Sequence, residues 1–387
     1  MDMFFIEVLK WLALGFIGIF IGMFIILSTP PSAETTVTPE KRRNFNPTFP
    51  LGRERKIRQL ADRIRSGQSS IIIGLFDVEK TELLGYLRNE EPQQQEMLYG
   101  EQASNLTFSY VDISELNRGC TPDQLWEMLL QPLQRHAELT DAYQVCQTHK
   151  FSRNSIDNLI SELNRSGGRL VLLLDAFQEI LKFRYLGEET EFFSTLRTIA
   201  ASRAPSPLVV VAASSQSLDT FYSATKHLNP MGSPYLNFME GGITLLDSLP
   251  ESEVDRLLSQ NSVPIPQSIR NQIKQLAGGH PYLLQIASSM ELWEEGNETE
   301  KFESVFFDRV KHILEQMLTS SDSRSCQALL AVIRQQDVSD FEKELDYFEK
   351  QGIVAKDSNQ WHLRAGIFRN MVENKPQHAW CQQSVKD

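Results

Sequence analysis

Apolar and polar positions alternate along this chain in three regimes. From Met3 to Leu27 nearly every position is apolar, and Trp11–Leu27 carries no charge at all. From about residue 50, short aliphatic runs alternate with stretches of helical period. The runs Ser70–Ile73, Leu106–Val111, Leu170–Leu174, Leu208–Ala213 and Gly242–Leu246 read as strands. Between them, Arg55–Ile64, Thr81–Leu87, Pro122–Leu139, Ile156–Leu163 and Glu191–Ala201 have apolar residues at helical spacing. Strands that alternate with helices predict βαβ units, and continuously apolar strands predict a parallel sheet covered on both faces. After Pro250 the pattern turns helical over Glu251–Ser259, Ile269–Leu276, Pro281–Trp293 and Phe302–Leu318. It closes with helices Cys326–Arg334 and Phe341–Gln351 and a hairpin, Ile353–Lys356 with Trp361–Leu363. Helix, helix, hairpin is a winged-helix pattern.

The N-terminal run predicts one transmembrane helix. Trp11–Leu27 alone spans about 26 Å at 1.5 Å per residue, and with Met3–Val8 it matches a hydrocarbon core of about 30 Å. A cleaved leader needs a basic start and a shorter core, whereas this start carries Asp2 and Glu7. Lys41, Arg42 and Arg43 follow the helix, so the positive-inside rule places the N-terminus outside and the body in the cytoplasm. Gly18 and Gly22 fit either close helix pairing, hence a homo-oligomer, or background glycine. The expected organisation is an anchor over 1–28, a tether over 29–47, an α/β domain over 48–249, a helical lid over 250–320, a winged-helix-like domain over 321–375 and a loose tail over 376–387.

Charge narrows the function classes. The 387-residue chain has a formal net charge of -12, against broad coating of nucleic acid. Its four cysteines form no CxxC, which argues against a zinc ribbon and fits free thiols in a reducing compartment.

The chemistry sits at Gly74-Leu75-Phe76-Asp77-Val78-Glu79-Lys80-Thr81. A phosphate-binding loop reads strand, G-x4-G-K-[ST], helix. Its backbone N–H groups hold phosphate, its lysine reaches the outer phosphates and its hydroxyl holds magnesium. Gly74, Lys80 and Thr81 match, but Glu79 replaces the second glycine. A carboxylate about 4 Å from a phosphate costs about 4 kcal/mol at an effective dielectric near 20, roughly a thousandfold in affinity. Asp175, at the end of an aliphatic strand, fits the magnesium-side acid or a helix cap. The next position, where hydrolysing members carry a second acid, is Ala176. Ser214, Ser215 and Gln216 fit a γ-phosphate sensor or a cap. Gly279 and Pro281 flank His280 at a helix start, a common place for proline.

Together these pieces resemble the AAA+/STAND group of P-loop ATPases, in the archaeal-type and cyanobacterial AAA-like branch, over about residues 48–372. Phe49-Pro50-Leu51-Gly52-Arg53-Glu54 resembles the group's opening motif, which implies that Arg53 lies beside adenine. Gly278-Gly279-His280-Pro281 resembles its lid motif, which implies that Pro281 packs on the base. The resemblance implies ATP or ADP with magnesium at Gly74, Lys80, Thr81, Asp175, Arg53 and Pro281, with Thr81 and Asp175 on the metal. Glu79 and Ala176 depart from the pattern, so a regulator or scaffold acting through an unnamed protein partner is the leading expectation. A slow ATPase with Glu179 positioning water is the second. A tethered DNA binder is the third, disfavoured because Asp340–Gln351 is rich in acids.

Overall fold

The computed structural model describes residues 52–187, 190–229, 232–260, 264–289, 299–320, 323–358 and 360–373. The expected membrane helix, tether and tail lie outside them. Among the described residues no helix is long and apolar enough to cross a membrane.

Five strands form one parallel sheet in the order β2-β3-β4-β1-β5. They are β1 (Ser70–Ile73), β2 (Leu106–Asp112), β3 (Arg169–Asp175), β4 (Leu208–Ser214) and β5 (Ile243–Leu245). All four strand pairings are parallel. Side chains alternate across a strand, and the aliphatic runs divide accordingly. Ile71, Ile73, Leu172, Leu174, Val210 and Ala212 enter one core with α3 (Pro122–Leu130), α4 (Arg153–Arg165) and α5 (Glu191–Ala201). Ile72, Val171, Leu173, Val209 and Val211 enter another with α1 (Glu54–Arg65) and α2 (Asp77–Leu87). The carboxyl ends of β1, β3 and β4 lie along one edge, at Gly74, Asp175 and Ser214.

A third core is helical. It joins α6 (Glu251–Ser259), α7 (Gln267–Ala277), α8 (Pro281–Ala287) and α9 (Thr299–Ser320) to α10 (Ser323–Ile333), α11 (Glu342–Lys350) and α12 (Ile367–Glu373). Between α11 and α12 runs an antiparallel hairpin, β6 (Val354–Asp357) and β7 (Gln360–Leu363). The seam between these pieces depends on glycines. Gly278 and Gly352 both have left-handed backbones, and a Cβ on Gly352 would stand 2.4 Å from Ser248 Cβ.

Three expectations are corrected. The helix expected over Thr81–Leu87 begins four residues earlier, at Asp77. The helix expected over Pro122–Leu139 ends at Leu130, and a 3-10 turn over Gln131–Arg135 follows. Pro132 has no N–H and its ring clashes with the preceding turn. Finally, Cys326 is disulfide-bonded, against the expectation of free thiols, whereas Cys120 and Cys146 are free and buried.

Candidate functional site

The loop after β1 is short because α2 starts early. Gly74 leaves the sheet, and Leu75 and Phe76 are buried in the helical core rather than wrapped around an open space. Phe76 meets His280 edge to face at 4.6 Å between ring centres and lies 5.9 Å from Tyr282. From Asp77 onward the backbone is already helical, with Asp77 and Glu79 in the first turn, where acids complement the helix dipole. Gly74 itself is required by packing, since a Cβ there would stand 2.9 Å from a methyl of Leu246.

Three successive residues on α2 set the chemistry. Glu79 is 4% exposed, and its Oε1 accepts from Arg53 Nε at 2.6 Å. Arg53 is also buried, and its Nη1 donates to the Asp247 carbonyl at 2.6 Å. His280, fully buried, stands at the N-cap position of α8 and brings Nε2 to 3.5 Å from Glu79 Oε2. Burial alone would raise the Glu79 pKa, but Arg53, His280 and Lys80 outweigh it and hold the carboxyl below its ordinary value. Burial pushes His280 down to about 4, so its ring is neutral at pH 7.

Lys80 is fully buried and donates to the Gly74 carbonyl at 2.6 Å. Its Nζ also lies 2.9 Å from Asp77 Oδ1, so the cation is matched within its own loop. Thr81 donates its hydroxyl directly to Asp175 Oδ2. Tyr110 donates to the same oxygen at 3.0 Å, and the Ala176 N–H donates to Oδ1 at 2.9 Å. Burial raises the Asp175 pKa against the pull of these hydrogen bonds.

The expected residues therefore gather around the start of α2. Gly74 meets Lys80, Thr81 meets Asp175, and Arg53 meets Glu79. Pro281 is buried at the first position of α8, and its neighbour His280 makes the contact. Glu179 is engaged by Lys182 at 2.8 Å and Arg118 at 3.6 Å. Ser214 closes a local turn with Gln216, and Ser217 caps the next helix. Gln178 accepts from the Ser215 N–H at 3.2 Å, tying the ends of β3 and β4. The role of Glu79 as partner of Arg53 was missed from the sequence. The available signal was the absence of glycine between Gly74 and Lys80 together with acids at 77 and 79, which favours a helix start over a cradle.

A magnesium triphosphate makes two demands. Thr81 and Asp175 are a suitable pair for the metal side. The phosphate side does not fit this conformation: the loop residues are helical or packed in the helical core, and two carboxylates occupy the first turn.

No protein-family model matches the chain, and no curated relative matches it. Among solved structures it is similar to the Walker-type ATPase PABY2304 of Pyrococcus abyssi, at 16% identity and a TM-score of 0.53. That match covers 84% of this chain and 96% of the other. It is also similar to the ORC2 protein of Aeropyrum pernix, solved as ADPNP–ADP complexes, at 13% identity, a TM-score of 0.48, and coverage of 88% and 96%. The first likeness shows a P-loop ATPase-like α/β fold.

Proposed function

We propose that this chain is a degenerate AAA-like protein that acts as a regulator or scaffold through protein contacts, carried at a membrane by its N-terminal apolar helix with the body in the cytoplasm. One observation carries the reading. The buried Arg53–Glu79 pair, with His280 beside it, occupies the start of α2, and Lys80 is bound to its own loop. Where a turnover site presents free donors to a phosphate, this chain has matched them internally.

The second acid at position 176 is also missing. Ala176 has a left-handed backbone, φ 47 and ψ 41, and directs no polar group. The expected substitute, Glu179, is paired with cations. The slow-ATPase reading keeps one supporting observation, the Thr81–Asp175 contact, which preserves the residue types of a magnesium site. DNA binding loses further ground. Glu342, Glu344, Asp346 and Glu349 lie on α11, and Tyr347 of that helix donates to the Ser215 carbonyl at 3.3 Å. The helix a winged-helix domain would lay in a groove is acidic and docked on the end of β4.

Phosphate release tests the reading. The full-length chain with magnesium and ATP is expected to release phosphate no faster than its Lys80→Ala variant. A rate that falls about tenfold or more in Lys80→Ala would instead establish the slow ATPase, because that lysine acts on the transferred group.

A further inference from the structure

Resting on the reading that the site is matched internally, we infer that Glu79 is a built-in anionic ligand: its carboxylate takes the place of a phosphate-bearing molecule among Arg53, Lys80 and His280, and removing it opens an anion site.

The donors come first. Arg53 stands at the start of α1 and His280 at the N-cap position of α8, so two separate elements bring nitrogen to the Glu79 carboxylate, with the Lys80 cation of α2 acting on it at longer range. Arg53 is 2% exposed, and Lys80 and His280 are fully buried. Such a convergence of buried nitrogen is costly unless an anion satisfies it. Within the chain that anion is Glu79. The match is incomplete. Arg53 Nη2, both ring nitrogens of His280 and Glu79 Oε2 are buried and have no hydrogen-bond partner in the protein. One carboxylate offers two oxygens on a short stem fixed to the helix. It satisfies Arg53 Nε, the Asp247 carbonyl takes Nη1, and Nη2 and the imidazole stay unmet. A phosphate group, with three free oxygens, is suited to more of these donors, and arginine's planar fork favours it.

The charge ledger points the same way. Lys80 is already balanced by Asp77 at 2.9 Å, and His280 is neutral. Arg53 and Glu79 therefore balance one another. Deleting the Glu79 carboxylate leaves a buried guanidinium whose one remaining counter-charge is the half-exposed Asp247 carboxylate at 3.6 Å, facing a vacated volume beside a helix start. An anion from solution is the direct remedy. The ligand class is a small phosphate anion, for which inorganic pyrophosphate is the probe.

The experiment uses the full-length chain, Glu79→Ala and the double variant Arg53→Met/Glu79→Ala. Thermal unfolding and calorimetry are recorded with and without pyrophosphate. Glu79→Ala is expected to unfold at a lower temperature than the natural chain, to recover part of that loss with pyrophosphate, and to bind it at least about tenfold more tightly than the natural chain. The double variant is expected to lose this gain. The inference is overturned by equal pyrophosphate affinity in the natural chain and Glu79→Ala, or by a gain that survives in the double variant. If Glu79→Ala does not fold, Glu79→Ser, which also removes the carboxylate and vacates its volume, is put through the same tenfold comparison. Nucleotide binding by the natural chain would count against the proposed function alone. The difference made by residue 79 decides this inference.

Discussion

A carboxylate taken out of water persists as an anion only when its charge is answered, and Glu79 is answered by Arg53 across 26 positions of sequence. Acid should expose this arrangement. His280 takes up a proton near pH 6.5 in the unfolded chain but only near pH 4 in the folded one. Between those values the unfolded state binds more protons, so stability falls as pH falls, by about 3 kcal/mol in all. Glu79 acts in the same direction lower down. Its folded pKa lies below the ordinary 4.5, so its contribution is present above that value and is lost as acid protonates it. Denaturant unfolding of the natural chain and His280→Gln across pH 7 to 4 should show the natural chain losing more stability over that window. Parallel curves would mean that His280 titrates normally and is not buried as described. The pairing of residues 53 and 79 was not legible in the sequence, because nothing in spacing reports that an acid beside a lysine turns toward a distant arginine.

At the scale of elements, legibility followed hydrophobic period. The start and end of β1 were read directly, and all five sheet strands were found, because buried parallel strands are continuously apolar. The helices Pro92–Tyr99 and Thr140–Thr148 were not read. They are short and polar, with few apolar positions to mark a face. The start of α2 was misplaced because the G-x4-x-K-T spacing suggested a loop up to residue 79. In fact Leu75 and Phe76 are residues of the helical core. Phe76→Ala should therefore destabilise the protein by about 3–5 kcal/mol, as deletion of a buried phenyl ring does, measured by denaturant unfolding. A change within about 0.5 kcal/mol, normal for an exposed loop, would restore the open-loop picture.

At the scale of the whole molecule, the sheet, helices α7 and α8 and the terminal helices with their hairpin meet at the segment after β5. The Ser248 N–H donates to the Lys350 carbonyl at 3.0 Å and the Leu249 N–H to the Gly279 carbonyl at 2.8 Å. Those joints are backbone contacts, which side-chain patterns do not announce. The proposed anchor gives a separate expectation. The full-length chain should sediment with membranes, resist extraction by high salt and alkaline carbonate, and be released by detergent, as a spanning helix rather than a peripheral contact requires. Release by salt alone would remove the anchor from the proposal.

The central claim is that the natural chain acts as a regulator or scaffold without a working nucleotide site. Calorimetric titration of the full-length protein with ATP and ADP, with and without magnesium, tests it most directly. The expected result is no binding up to millimolar nucleotide. Binding in the micromolar range that is lost in Lys80→Ala would contradict it, and would show that Glu79 swings out to leave a working phosphate cradle.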